Sequence, residues 1–151
     1  MHTLIETLAR DFPQFTFTPS DNLHWSFTTQ EVFYSEDKLD GSADGLLHEL
    51  GHAVLGHNDF TDDLDLIYKE IAAWEKAKEL AKVYGQPLNE DYIQACLGSY
   101  RDWLHKRSSC PRCGAHGLQA AQKRYNCLNC EQTWNVSGSH HTRPYRQSKS
   151  D

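Results

Sequence analysis

Apolar residues change their spacing twice along the first hundred positions of the chain. Residues 2–10 have the spacing of a short helix that ends before Pro13. Aromatic and β-branched residues then alternate with polar ones over residues 23–27 and again over residues 32–34, which predicts two β-strands. The segment 40–42, Asp-Gly-Ser, interrupts the alternation and can begin a helix.

Three further helices are predicted from apolar spacing and from the residues at their ends. The first covers residues 43–56 and ends in a glycine. The second begins near Asp62, where clustered acids complement the helix dipole, and ends at Gly85. The third begins at Asn89, a favourable N-cap, and continues through Leu104. Short strands combined with these helices predict an α+β fold.

Four of the five cysteines form two Cys-x-x-Cys pairs with 13 residues between them: Cys110, Cys113, Cys127 and Cys130. This spacing is close to that of four-thiolate zinc sites, and short strands are expected around the second pair. The module resembles a zinc ribbon built on a β-hairpin. Because four sulfur ligands leave no open position, zinc here is expected to be structural.

Charge is distributed unevenly over the predicted modules. Residues 1–100 contain 6 Lys and Arg against 18 Asp and Glu, whereas residues 101–151 contain 9 against 3. The predicted divisions are a domain over residues 1–107, the ribbon over residues 108–136 and a polar, disordered tail over residues 137–151. The basic end could bind nucleic acid, with Tyr125 and Trp134 available for stacking, or it could be a solvated surface that docks on protein.

Neither a secretory signal nor an apolar stretch long enough for a membrane is visible in the sequence. A soluble, cytoplasmic protein without a membrane partner is therefore expected.

The first predicted long helix carries the segment His48-Glu49-Leu50-Gly51-His52. Residues four apart lie on the same helix face, so His48 and His52 can bind one zinc ion. Glu49 is placed to take a proton from a zinc-bound water and to pass it to the leaving amine. The helix also has four apolar residues for a buried face: Leu46, Leu47, Leu50 and Val54.

A catalytic zinc usually has a third protein ligand. Glu70, early in the next helix, is the leading candidate, because a short loop would return that helix antiparallel over the two histidines. Small residues at Ala72 and Ala73 would let the two helices approach closely. His57 lies near the third histidine of metzincins but out of register, and Asp65 is the weaker carboxylate.

Residues 46–57, followed by a helix that carries Glu70, resemble the ImmA/IrrE-type and minigluzincin metallopeptidases. The resemblance covers roughly residues 23–85 and implies a zincin-like domain with short strands and three main helices. It implies that the two histidines and Glu70 bind zinc, that Glu49 is the general base, and that the strand over residues 31–34 lines the substrate cleft. Trp74 and Glu75 stand where these families usually have an acid.

The sequence therefore predicts a gluzincin-like zinc metallopeptidase with two zinc sites, a protein or peptide substrate, and a ribbon that recruits substrate or partner. One alternative is a non-catalytic zinc-binding module that regulates, or that binds nucleic acid or protein. Another is a DNA-associated protease similar to the SprT type, which takes its third histidine from a His-Gly pair; His116-Gly117 is the pair in this chain.

Overall fold

A computed structural model describes residues 2–37 and 43–136, with four helices and six strands among them. Their bounds are α1 His2–Asp11, β1 Thr16–Pro19, β2 His24–Ser26, β3 Glu31–Tyr34, α2 Asp44–Leu55, α3 Asp63–Tyr84, α4 Glu90–Ser108, β4 Gly117–Ala121, β5 Arg124–Cys127 and β6 Thr133–Asn135. The predicted α+β class is confirmed. The predicted helix start at residues 40–42 and the predicted tail at residues 137–151 lie outside the described residues.

The chain forms two compact units. Among the described residues, the first contains those up to 59 together with residues 68–93, and the second contains residues 60–67 together with residues 94–136. The helices α3 and α4 each contribute residues to both units. Within the described part of the chain, no helix is long and apolar enough to cross a membrane.

The first unit has a three-stranded sheet in the order β1-β3-β2. The central strand β3 runs parallel to β1 and antiparallel to β2, with Trp25 opposite Val32. Strand β1 was not predicted, although Phe15 and Phe17 alternate with threonines there. Phe27 was placed in a strand but lies beyond β2 and is exposed, so that part of the prediction is wrong.

Helix α2 lies against β2 and β3 and contributes to the core of this unit. Leu46, Leu47 and Leu50 are fully buried, as predicted, together with Val32 of the sheet. Val54 is exposed, so its predicted place on the buried face is wrong. Since Val54 comes directly before the last residue of α2, it lies beyond the part of the helix that the core covers.

Close contact between α2 and α3 occurs where both helices have small residues. A Cβ atom added to Gly51 would lie 2.5 Å from the backbone oxygen of Ala73, a distance that only glycine allows. The close approach expected at Ala73 is therefore confirmed, while Ala72 is half-buried. Gly51 is the small residue that faces Ala73.

The second unit contains an antiparallel sheet in the order β4-β5-β6. A hairpin was predicted, and the additional strand β4 escaped notice because Gly117–Ala121 has no aromatic or β-branched residue. Beside this sheet, the Arg107 guanidinium donates to Asp63 at 2.8 Å, and the Tyr125 hydroxyl donates to the same carboxylate. Helix residues form a separate apolar cluster of Leu66, Ile67, Tyr100 and Trp103.

Candidate metal centres

His48 and His52 lie one turn apart on α2, and both side chains turn toward α3. Their Nε2 atoms are 2.9 Å apart. The two rings are almost enclosed, with 10% and 13% of their side-chain surface exposed. The motif thus brings two imidazole nitrogens close together in the interior of the first unit.

Glu70 of α3 completes this group. One carboxylate oxygen lies 3.0 Å from Nε2 of His48, and the other lies 3.0 Å from Nε2 of His52. The side chain of Glu70 is 8% exposed. Asp65 belongs to the second unit, where its carboxylate accepts hydrogen bonds from the backbone and hydroxyl of Thr61. Of the carboxylates considered from the sequence, Glu70 is the one that the structure brings to the histidines.

Burial and charge act in opposite directions on His52. Burial disfavours its charged ring and lowers its pKa, but the hydrogen bond and the negative charge of Glu70 outweigh burial. The pKa of His52 is therefore raised above its ordinary value. A carboxylate held against two imidazoles in this way concentrates negative charge where a cation would lie.

Glu49 lies on the same helix but stands outside the group of converging atoms. Desolvation raises the pKa of its carboxyl to about 7, and the charge of Glu70 adds to this effect. The nearby His52 and a hydrogen bond from the backbone N–H of Trp25 act in the opposite direction. A carboxyl group with a pKa near neutrality can accept and return a proton at physiological pH.

The hydrogen bond from Trp25 places strand β2, rather than β3, beside Glu49. Strand β2 is an edge strand of its sheet, whereas β3 is paired on both sides. The strand over residues 31–34 was expected to line the cleft, but its main chain already pairs with both neighbours. Among the described strands, the edge strand next to Glu49 is β2.

Two aromatic neighbours contact the histidines. Trp74, at the position where the resemblance leads one to expect an acid, meets the His48 ring edge-on with centroids 4.2 Å apart. His57 meets His52 with Nδ1 atoms 2.9 Å apart. His57 therefore contacts the far side of a candidate ligand and does not join Glu70 at the converging Nε2 atoms.

The donor set of two imidazole nitrogens and a carboxylate fits zinc. Zinc binds such atoms at about 2.0–2.1 Å, so tetrahedral ligands lie roughly 3.3 Å apart. The distances in this cluster are 2.9–3.0 Å, and the three ligand atoms require only a small outward shift to reach that spacing. Three protein ligands leave a fourth position open.

The four cysteines of the ribbon form the second group of potential ligands among the described residues. The Sγ atoms of Cys110 and Cys130 are 3.6 Å apart, as are those of Cys113 and Cys127. Thiolates around a tetrahedral zinc at about 2.3 Å lie roughly 3.8 Å apart. The cysteines therefore fit a zinc ion that is closed to further ligands.

Hydrogen bonds to sulfur repeat in both halves of this cluster. Cys110 Sγ accepts from the backbone N–H of residues 112 and 113, and Cys127 Sγ accepts from those of residues 129 and 130. The amide of Asn129 and the backbone N–H of Ala115 help to lower the pKa of Cys113 to about 6. Donors around sulfur favour the thiolate, which is the form that binds metal.

Tyr125 and Trp134 stack on each other and are buried beside the cysteines. The Trp134 indole donates to the carbonyl of Arg107 at 2.8 Å. The prediction that these two rings are available for stacking on nucleic-acid bases is therefore wrong. Both rings form the core of the ribbon.

Comparisons of the chain with protein-family models, with curated proteins and with solved structures find no match.

Sequence reasoning identified the residues that converge but missed those that position them. The position of Gly51 within a helix could have indicated a close contact, because a glycine inside a helix is unfavourable unless another backbone comes close. His57 was considered only as a ligand, and its place behind His52 depends on a turn after α2. Nothing in the sequence around Trp25, apart from its alternation in a strand, indicated that it contacts Glu49 and His57.

Proposed function

We propose that this chain is a zinc-dependent metallopeptidase of the gluzincin kind, in which His48, His52 and Glu70 hold the catalytic zinc. The observation that carries the proposal is the convergence of two Nε2 atoms and one carboxylate within 3.0 Å, with Glu49 beside them and not among them. A structural site made of histidines and acids has no need for a second, proton-accepting carboxyl. The resemblance to the ImmA/IrrE-type and minigluzincin families supports the same assignment.

Zinc, when bound, polarises a carbonyl and makes a water molecule acidic enough to attack it at neutral pH. Glu49 would accept the proton from the attacking water, because its carboxyl stands beside the three ligand groups and not among them. The same carboxyl then donates that proton to the leaving amine. Trp25 keeps Glu49 in place through its backbone N–H.

The substrate is expected to bind in an extended form along β2. A free strand edge offers main-chain donors and acceptors to a peptide, and such pairing depends little on side chains. Among the described strands, β2 is an edge strand of its sheet, and it contacts Glu49 through the backbone N–H of Trp25. This arrangement would bring a peptide bond near the converging ligand atoms.

The four-cysteine site is proposed to hold a second, structural zinc. Its support is the spacing of the four sulfur atoms and the hydrogen bonds that favour thiolates. We propose that the ribbon stabilises its unit and offers its exposed surface to a substrate or partner. Stacking on nucleic-acid bases has no support from the buried Tyr125 and Trp134.

The decisive experiment compares wild-type protein with Glu49→Gln, and with Glu75→Gln as a control at an exposed carboxyl of α3. Metal analysis is expected to give about two zinc ions per chain in all three proteins. Incubation with a proteome-derived peptide library, read by mass spectrometry, should show cleavage by wild type and Glu75→Gln. In Glu49→Gln, the rate should fall by roughly 10²- to 10⁴-fold.

Two results would contradict the proposal. Unchanged cleavage by Glu49→Gln would remove Glu49 from the mechanism. A wild-type chain that holds both metals but cleaves no peptide would favour the non-catalytic zinc-binding alternative.

A further inference from the structure

We propose that His57 is a positioning residue, which fixes the ring orientation and the tautomer of His52 as a metal ligand. The proposal rests on the metal site put forward above and gives His57 a role behind that site. Nε2 of His52 faces Glu70 at 3.0 Å, whereas Nδ1 of the same ring lies 2.9 Å from Nδ1 of His57. One edge of the His52 ring thus serves the ligand cluster, and the other is held by His57.

The hydrogen bond between the two rings couples the tautomer of His52 to that of His57. Two nitrogens at this distance require one donor and one acceptor. When Nε2 of His52 binds a metal, the proton of its neutral ring is on Nδ1, which then donates to Nδ1 of His57. His57 in turn carries its own proton on Nε2. With a metal on Nε2, the bond to His57 thus has one possible direction and holds the His52 ring by its Nδ1–H.

The turn after α2 brings His57 to this position. On a continuous helix, residues five apart point about 140° away from each other, so the ring of His57 would miss His52. Gly56 ends the helix with a φ of 69°, a conformation that glycine adopts without a Cβ penalty. The N–H of His57 then donates to the carbonyl of His52 at 3.0 Å.

The carbonyl group of His57 is bonded to a residue of strand β2. The indole Nε1 of Trp25 donates to the carbonyl oxygen of His57 at 2.8 Å. Both backbone groups of His57 are thus bonded, one to α2 and one to β2. Partners that orient a metal-binding histidine are usually carboxylates, carbonyls or waters, and their loss weakens metal binding roughly 10- to 100-fold. Here an imidazole occupies that place.

The test uses two substitutions at one position in the full chain. His57→Phe keeps an aromatic ring but removes the acceptor, whereas His57→Asn keeps an acceptor near the place of Nδ1. Each protein is titrated with Co(II), and ligand-field absorption reports the site of His48, His52 and Glu70. Thiolate-to-cobalt charge-transfer absorption reports the four-cysteine site, which serves as the internal control.

We expect His57→Phe to bind cobalt at the histidine site roughly 10- to 100-fold more weakly than wild type, and His57→Asn to stay within about threefold. His105→Phe, the same exchange at an exposed histidine of α4, should bind as wild type does. Far-UV circular dichroism and the thiolate band show whether each variant retains its fold.

The possible failures point to different conclusions. Equal affinities of His57→Phe and wild type would overturn the role of His57 and leave the metal site intact. Equal weakening in His57→Phe and His57→Asn would mean that ring packing, not the hydrogen bond, positions His52, and it would overturn the proposal as well. A wild-type chain that binds cobalt only through cysteines would overturn the metal site itself.

Discussion

Gly51 of α2 lies against the backbone of Ala73 in α3, so closely that a Cβ atom on Gly51 would be 2.5 Å from the Ala73 carbonyl oxygen. Gly51 directly precedes His52, and Ala73 lies one turn after Glu70. The point of closest approach between the two helices is therefore also the point that sets the distance from Glu70 to both imidazoles. The packing of the two helices and the geometry of the proposed metal site therefore both depend on the absence of a side chain at Gly51.

Gly51→Ala should force α2 and α3 apart, because the obstructing atom belongs to the backbone and has no alternative rotamer. We expect a loss of about 1–3 kcal/mol in the free energy of unfolding, and a loss of metal binding at the histidine site. Gly98→Ala is the matched control, since Gly98 lies inside α4 with only the end of Arg101 nearby, at 3.9 Å. That exchange should stabilise by about 0.5–1 kcal/mol. Urea unfolding and zinc analysis test both variants, and a stable, fully loaded Gly51→Ala would contradict this account.

Glu70→Ala should remove one of three ligands and lower the zinc content from about two ions per chain to about one. The reason is that the two histidines alone leave the zinc with only two of its three proposed protein ligands. Glu75→Ala removes an exposed carboxylate of the same helix, which contacts Lys78 at 3.7 Å, and should retain both ions. Inductively coupled plasma analysis after gel filtration measures the content. If Glu70→Ala keeps two tightly bound ions, Glu70 is not a ligand.

Local patterns in the sequence were sufficient for the helices and for the identities of the converging residues. The spacing of His48 and His52 places them on one face because helix geometry repeats, whatever surrounds it. The choice of Glu70 required only that α3 return over α2 after a short loop. Such inferences depend on one or two elements at a time.

Features that depend on three or more elements were beyond the sequence. His57 contacts His52 because Gly56 ends α2 and because Trp25 of β2 binds its carbonyl. Strand β3 is central, and β2 lies at one edge of the first sheet, because the unpredicted β1 pairs with β3. Long-range pairing of this kind leaves no periodic signal, so the position of each strand within its sheet could not be predicted.

Tyr125→Phe should destabilise the second unit, because its hydroxyl donates to the buried carboxylate of Asp63. Burial and that hydrogen bond keep the pKa of Tyr125 well above its ordinary value, so the phenol remains a donor at any physiological pH. Loss of a hydrogen bond to a charged group costs about 1.5–3 kcal/mol. Tyr68→Phe, at a tyrosine that is 65% exposed, should change stability by less than about 0.5 kcal/mol. Chemical denaturation of the zinc-loaded proteins compares them, and equal midpoints would refute the structural role of Tyr125.

Asp63→Asn should be more severe than Tyr125→Phe, because it leaves the buried charge of Arg107 without a counter-charge at 2.8 Å. Breaking a buried ion pair from one side costs about 3–5 kcal/mol. Asp62→Asn, at the exposed neighbouring carboxyl, is the control and should cost less than half as much. Thermal unfolding ranks the stabilities of Asp63→Asn, Tyr125→Phe and Asp62→Asn. An Asp63→Asn variant as stable as Asp62→Asn would show that the ion pair of Asp63 and Arg107 contributes little.

Glu49 should make the metal-free protein lose stability as the pH rises. Its folded-state pKa of about 7 lies above the ordinary value of 4.5, so folding favours the protonated carboxyl. That contribution is fully present below pH 4.5 and is lost as the pH rises through about 7. Glu49→Gln removes the titration, so its stability relative to wild type should increase over this interval, by on the order of 2–3 kcal/mol.

Urea unfolding between pH 4.5 and pH 8, in the presence of a chelator, measures the effect of Glu49. Glu75→Gln, at an exposed carboxyl, should follow wild type at every pH, which separates the buried group from general charge effects. Added zinc should reduce the difference between Glu49→Gln and wild type, because a cation beside Glu49 favours the ionised carboxylate. A difference that does not vary with pH would mean that the Glu49 carboxyl is hydrated in the folded chain, and a hydrated carboxyl of ordinary pKa would be a weaker base for the proposed reaction.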